Sequence, residues 1–337
     1  MIESKSKSVL LIIAKIALSL LVLYFLVHTA QIKPNLLMVL INHPFHIAGV
    51  ILSLFATIFI AAWRWSRLNA AQAIHPGFVN TVVATYVGGA FNNILPGAIG
   101  GDAVRLYFMF KKQAKLKGQA VLAILLDRVI GFIGVFVTIF ITSILRIDKV
   151  SKDPRIFYLL CICALFCIAM LLAFLAFVCI VRHKKTNEWI EVKFNDWRLM
   201  RPVMSFFSAV QMLSVKKRLV LQCISMSVLM QSLTVYAITL LAHVMGLPPI
   251  RFSDYVLAVG VTQIVNMIPL TPGGVGIGEF AFTKILLLMN PFISGPYATI
   301  FFAYRLISML ICLPGVIIYV PMLIFKKEKN HLIASVA

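Results

Sequence analysis

Long apolar runs separated by short basic or polar segments dominate this sequence. A helix that crosses a bilayer needs about 20 apolar residues, and six of the runs approach or exceed that length. We therefore predict an all-α polytopic membrane protein, with one integral membrane domain over residues 1–337. The six predicted spans are residues 8–30, 45–62, 119–145, 156–181, 219–245 and 297–325.

Two shorter apolar runs, residues 78–95 and 255–269, each stop at a motif rich in glycine and proline that ends in an acid. The first motif, residues 92–102, is NNILPGAIGGD, and the second, residues 266–279, is NMIPLTPGGVGIGE. A brief apolar segment follows each. Because proline and glycine break helices and a carboxylate is costly in hydrocarbon, the two motifs predict a polar site at membrane depth.

The composition supports the membrane assignment and limits the partners. The chain is 61% hydrophobic and 12% charged, whereas a soluble domain carries roughly a quarter charged residues. Its net charge is +20, which could indicate nucleic-acid binding. The lysines and arginines cluster in short loops, however, as in proteins that follow the positive-inside rule. We therefore expect contacts with anionic lipids and no nucleic acid.

The charge distribution also predicts the topology in a bacterial cytoplasmic (inner) membrane. We expect cytoplasmic N- and C-termini, a cytoplasmic interface anchor at residues 63–67, and a basic segment at 182–218 that forms interfacial helices or a plain loop. The loops at 31–44, 146–155 and 246–254 are expected outside. This topology holds only if each motif lies in a re-entrant hairpin, the first entering from the cytoplasm and the second from outside.

The two hairpins belong to units, residues 45–145 and 219–325, that share a register. An acid, a glycine 16 residues later and an arginine 26 residues later recur in both: Asp102, Gly118 and Arg128, then Glu279, Gly295 and Arg305. Because the charge bias orients the units oppositely, we predict an inverted-topology repeat, an architecture common among secondary transporters.

Each hairpin tip could bind an anion. A broken helix exposes backbone N–H groups, and glycines allow several of them to surround a phosphate. The alternative is that the glycines only permit tight turns and close packing. Asp102 and Glu279 could cap helices, or pair with Arg105, Arg128 and Arg305, whose guanidinium groups also suit phosphate. The cysteines and histidines show no metal-binding spacing, so we expect no metal, cofactor, disulfide or catalytic residue.

These motifs resemble the flippase-like membrane family that includes the transmembrane region of lysylphosphatidylglycerol synthase. The resemblance extends over roughly residues 10–325 and implies movement of lipids between leaflets. The synthases carry a cytosolic acyltransferase-like domain after this region, whereas this sequence ends at Ala337, so aminoacyl transfer is not expected of this polypeptide alone. The candidate substrate-binding residues are Asn93, Pro96, Gly97, Gly100, Asp102, Arg105, Asp127, Arg128, Pro272, Gly273, Gly274, Gly276, Glu279 and Arg305.

The function predicted from the sequence is a flippase-like transporter that moves a phospholipid or a lipid-linked polar head group by alternating access. The alternative is a membrane enzyme subunit or scaffold that acts on a lipid phosphate or a lipid-linked sugar. The expected partners are membrane lipids with anionic or phosphate-containing head groups. A homo-oligomer or a lipid-modifying partner enzyme is left open.

Overall fold

The computed structural model describes residues 17, 20–28, 32–94, 99–112, 117–147, isolated positions between 154 and 168, 216–266, 270–271 and 273–336. All regular elements in this part of the chain are helices. Residues 20–28 are helical, and a 3-10 turn at Leu40–Asn42 follows the first short helix. The α-helices are α1 (Asn35–Val39), α2 (Pro44–Ala71), α3 (Phe78–Ile94), α4 (Ile99–Lys112), α5 (Lys117–Leu145), α6 (Lys217–Val244), α7 (Phe252–Asn266), α8 (Ile277–Met289) and α9 (Tyr297–Val336).

Four helices in the described part are long and apolar enough to cross a membrane: Pro44–Ala71, Gln119–Leu145, Lys217–Val244 and Tyr297–Gly315. They correspond to the predicted spans at 45–62, 119–145, 219–245 and 297–325. The all-helical membrane fold is therefore confirmed. The other predicted spans, 8–30 and 156–181, and the basic segment at 182–218 lie largely outside the described residues.

Helix α2 is longer than predicted, and only part of residues 63–67, the predicted interface anchor, is exposed. The helix continues through these residues to Ala71. Trp65 is fully buried and Arg64 is 7% exposed, so both side chains pack inside the protein, whereas Trp63 and Arg67 are exposed. The helix continues because Leu68 and Ala71 extend its buried face, and Arg64 can be buried because it meets a carboxylate on α5.

The first of two helical hairpins is formed by α3 and α4, which pack against each other. The Gly101 N–H donates a hydrogen bond of 2.9 Å to Asn92 Oδ1, which joins the start of α4 to the end of α3. A Cβ atom on Gly101 would lie 2.2 Å from the carbonyl oxygen of Gly88. Only glycine therefore allows the arms to approach this closely.

The second hairpin is formed by α7 and α8. Its base is defined by Asn290, just after α8, whose Nδ2 donates a 3.2 Å hydrogen bond to Asp254 Oδ2 at the start of α7. Asp254 also pairs with Arg146 at the end of α5, with 3.0 Å between Nε and Oδ1. The second hairpin thus begins and ends beside the C-terminal end of α5.

The two hairpin bases lie at opposite ends of α5. The first hairpin ends at Lys112 and α5 begins at Lys117, so a short connection joins the base of that hairpin to the N-terminal end of α5. Helix α5 has 29 residues, which at about 1.5 Å per residue makes it about 43 Å long. Helix α6 packs against α2, α5, α7 and α9 and so connects the two units.

We predict that Gly101→Ala destabilises the protein by about 1–3 kcal/mol, because the added methyl group would overlap a backbone oxygen of α3 that cannot move away easily. Gly89→Ala is the matched control on α3. Its added Cβ would lie 3.5 Å from Cys312 Sγ, an ordinary contact, so it should be neutral or slightly stabilising. Thermal unfolding of both variants in detergent measures the difference, and equal stabilities would contradict the close crossing.

Candidate functional site

Five charged side chains from three helices meet at the tip of the first hairpin and form the first charge cluster. Its members are Arg64 on α2, Asp102 and Arg105 on α4, and Asp127 and Arg128 on α5. Asp127 lies at the centre. Its Oδ1 is 2.8 Å from Arg64 Nε, and its Oδ2 is 3.2 Å from Arg105 Nη1.

Asp102 is the second carboxylate of the cluster. Its Oδ2 is 2.8 Å from both Nε and Nη2 of Arg128, so one guanidinium group donates twice to one oxygen. Arg105 Nη1 lies 3.8 Å from Asp102 Oδ1, so Arg105 bridges the two aspartates. The pairing of Asp102 with Arg105 and Arg128, which was one of the alternatives from the sequence, is thus present in the structure.

Burial within the first charge cluster decreases from Asp127 toward Arg128. The exposed fraction of the side chain is 5% for Asp127, 8% for Arg64, 12% for Arg105, 16% for Asp102 and 31% for Arg128. Among the described residues, three guanidinium groups face two carboxylates, so these five side chains together carry one excess positive charge. An uncompensated charge in a low-dielectric interior costs several kcal/mol. Arg128 lies at the more open side of the cluster.

Two further contacts fix the arginines of the first charge cluster. Arg64 Nη1 donates a 2.6 Å hydrogen bond to Ser227 Oγ on α6, which connects the cluster to the second unit. The Arg105 guanidinium carbon lies 5.1 Å above the centre of the Trp65 ring, a distance typical of cation–π attraction. Arg105 is thus held by a ring face and two carboxylates.

The tip of the second hairpin holds a smaller group, the second charge cluster, formed by Glu279 on α8 and Arg305 on α9. Their Oε1 and Nε atoms are 2.8 Å apart, and their side chains are 0% and 7% exposed. Glu279 Oε2 also accepts a 2.7 Å hydrogen bond from the Gly276 N–H, so it caps α8 as well. Pairing and capping, the two alternatives considered for this acid, therefore occur together.

The glycine-rich turn before α8 uses its own polar groups, and this corrects one expectation. The N–H groups of Gly274, Gly276 and Gly278 donate to Thr271 O (3.1 Å), Glu279 Oε2 (2.7 Å) and Gly274 O (2.9 Å). The predicted anion nest is therefore wrong for these three groups in this conformation, because acceptors within the chain already occupy them.

Carbonyl oxygens of the same turn face a cation. Arg305 Nη1 donates to Gly273 O and Nη2 donates to Gly274 O, the latter at 3.2 Å. Gly273, Gly274 and Gly276 have φ angles of 57°, 74° and 85°, which other residues rarely adopt. A Cβ on Gly278 would lie 2.6 Å from Arg305 Nη2. The glycines thus serve tight turns and close packing here.

The structure brings most of the predicted site residues into these two clusters. Four of them form the first charge cluster together with Arg64: Asp102, Arg105, Asp127 and Arg128. Five belong to the second charge cluster and its turn: Gly273, Gly274, Gly276, Glu279 and Arg305. Gly100 lies in the first turn of α4. Pro96, Gly97, Pro272 and the side chain of Asn93 lie outside the described part. Substrate binding by any of these residues stays a prediction.

Two sets of buried polar residues were not predicted from the sequence. Arg64 was assigned to an interface anchor, because tryptophan and basic residues around it are typical of the end of a span. Arg146 and Asp254 were assigned to outer loops, yet their side chains are only 3% and 0% exposed. Together with Asn290 they join α5 to the base of the second hairpin. Nothing in their local sequence distinguishes them from loop residues.

Comparisons with known proteins agree with the motif resemblance. The sequence matches the family described as "Lysylphosphatidylglycerol synthase TM region" over residues 12–315, a range that contains both charge clusters. One similar protein is "UPF0104 membrane protein MJ1078" of Methanocaldococcus jannaschii. It is 29% identical over 252 residues, which cover 71% of this chain and 98% of the relative.

We predict that Asp254→Asn lowers the free energy of unfolding by about 3–5 kcal/mol, because it leaves the Arg146 guanidinium buried without its carboxylate partner. The double variant Arg146→Met with Asp254→Leu should recover most of this loss, since it removes both charges. Unfolding in detergent checks both variants. Arg251→Gln, an exposed cation nearby, is the control and should change stability by less than about 0.5 kcal/mol. A double variant as unstable as the single one would contradict the pairing.

Proposed function

We propose that this chain, which belongs to the family of the lysylphosphatidylglycerol synthase transmembrane region, moves lipids with phosphate-containing head groups between the leaflets of the membrane. The observation that carries the proposal is the excess positive charge of the five described side chains of the first charge cluster, which are largely buried among apolar helices. A phosphate would supply the missing negative charge. Arg128, the most exposed member at 31%, is the residue that the head group would reach first.

The membrane arrangement that accompanies this proposal has six spans and two re-entrant hairpins in an inverted repeat, in a bacterial inner membrane with both termini in the cytoplasm. The hairpin bases at opposite ends of α5 support entry from opposite faces. Along α5, Asp127 lies about 28 Å from Arg146, and along α7, Asn266 lies about 18 Å from Asp254. Both tips would thus lie inside a hydrocarbon core of roughly 30 Å.

The head group would bind by competing for partners that the first charge cluster already holds. A phosphate offers several oxygens to a guanidinium group, so it can replace Asp102 at Arg128. Asp102 then retains Arg105, which lies 3.8 Å away. Such an exchange changes the forces between α4 and α5, where these residues lie. Lipid binding would favour whichever arrangement of the units holds the head group better, as alternating access requires.

The second charge cluster would have a different role. Glu279 and Arg305 balance each other's charge, and the surrounding carbonyl oxygens are better suited to hold a cation than a phosphate. We therefore assign head-group binding to the first charge cluster. The second charge cluster would maintain the conformation of the second hairpin tip. The asymmetry gives the two halves of the repeat distinct tasks.

The experiment is transport of fluorescent phosphatidylglycerol in liposomes that contain the purified protein. We predict that Arg128→Gln slows transport by about 10- to 100-fold, because charge-assisted hydrogen bonds to the phosphate are worth about 1.5–3 kcal/mol. Thermal unfolding should change little, since this side chain is partly exposed. Arg251→Gln, with an exposed cation outside the clusters, should transport at the parent rate.

Two outcomes would contradict the proposal. One is unchanged transport by Arg128→Gln at every lipid concentration. The other is no transport by the parent protein, combined with a chemically altered lipid found by mass spectrometry. The latter result would favour the alternative function, a membrane enzyme or enzyme subunit that acts on a lipid phosphate or a lipid-linked sugar.

A further inference from the structure

A basic cavity of about 610 Å³ lies between the end of α2 and the start of α6. Its size falls within the roughly 300–1,000 Å³ of small-molecule sites. Among its described lining residues, three are cations and none is acidic. The lining residues are Arg67, Ala70, Ala71, Lys216, Arg218, Leu219 and Gln222. We call this cavity the basic pocket.

The basic pocket has no counter-charge among the described acidic side chains. Those four acids are each paired with an arginine elsewhere: Asp102, Asp127, Asp254 and Glu279. Arg67 donates a 3.2 Å hydrogen bond to Gln222 Oε1, a neutral group. Lys216 and Arg218 flank the N-terminal end of α6, where the helix dipole is already positive. The local potential therefore favours an anion.

The basic pocket is separate from the first charge cluster, although both lie along α2 and α6. Arg67 is about one helical turn beyond Arg64, and Gln222 is just over one turn before Ser227. No residue of the first charge cluster is among the described lining of the basic pocket, and residues of α2, α5 and α6 form a buried apolar cluster at this end of the helices. Its buried members are Leu68, Ala71, Leu122, Leu126, Ile130 and Cys223. An anion in the pocket would thus not touch the charged groups of the cluster.

We infer that the basic pocket binds the phosphate head group of an anionic membrane lipid that stays in its leaflet. The ends of two spanning helices place the pocket near head-group depth. Its alanines and Leu219 give an apolar wall for the glycerol and the first chain carbons. Basic pockets between transmembrane helices on the cytoplasmic side are typical sites for anionic lipids, and the positive charge of this end predicts that orientation.

A lipid at this place would join the two units of the repeat. Arg67 belongs to α2, whereas Lys216 and Arg218 lie at the start of α6. One phosphate that contacts both sides holds the ends of these helices together. The bound lipid therefore stabilises the packing of α2 on α6, and it does so whether or not the protein transports lipid.

Native mass spectrometry of the full chain in detergent tests this inference with three probes: phosphatidylglycerol, phosphatidylcholine and inorganic phosphate. We expect phosphatidylglycerol to bind at the basic pocket at least about tenfold more tightly than phosphatidylcholine, and to raise the melting temperature. The double variant Arg67→Gln with Arg218→Gln should weaken that binding about tenfold or more. Arg251→Gln, the matched control with an exposed cation elsewhere, should bind like the parent protein.

Lipid stoichiometry separates this site from the proposed transport site. The double variant Arg67→Gln with Arg218→Gln should lose the lipid bound at the basic pocket. Arg128→Gln should keep that lipid, whatever its effect on transport. Parent-like binding of phosphatidylglycerol by the double variant would overturn the inference, as would equal binding of the two lipids. A third result would also overturn the inference: millimolar inorganic phosphate displaces the bound lipid, and the protein shows no preference between the two lipids. The basic pocket would then be a site for free phosphate.

Discussion

Charge inside an apolar helical protein must be paired, and this constraint determines how the described helices are arranged. Each described carboxylate lies within 3.0 Å of an arginine on another helix or just beyond its end. Hydrophobic attraction gives little help to helix association in lipid, where the surroundings are equally apolar. The ion pairs and the close glycine crossings therefore supply much of the specificity that fixes both hairpins against α5 and α9.

The sequence predicted the parts of this arrangement that depend on local chemistry. Helix breaks follow from proline and glycine, and the shared spacing of Asp102 with Arg128 and of Glu279 with Arg305 indicated both ion pairs. It could not predict pairs whose partners come from distant segments. Arg64 is 63 residues from Asp127, and Arg146 is 108 residues from Asp254. Each resembles an ordinary end-of-span residue until the packing brings its partner close.

The glycines show how one residue type can serve a different purpose from the one its motif indicates. Phosphate loops and tight membrane turns both need backbone that can approach another group closely. In the second motif the approaching group is Arg305, whose guanidinium occupies the space that a Cβ on Gly278 would take. The N–H groups turn inward to Glu279 and to the turn itself. A sequence motif defines the space available, whereas packing decides what fills it.

The two hairpin tips differ in the charge of their described side chains, and this difference bears most directly on the proposed function. A balanced pair such as Glu279 and Arg305 is stable without a ligand, so it can hold a hairpin tip in one shape. The described part of the first charge cluster has three arginines and two aspartates, and under the proposed function a phosphate would balance this excess beside the least buried arginine, Arg128. Because Arg64 of this cluster also binds Ser227 on α6, a change in its charge balance acts on the contact between the two units. Under the proposed function, this contact would transmit phosphate binding from the first charge cluster to α6.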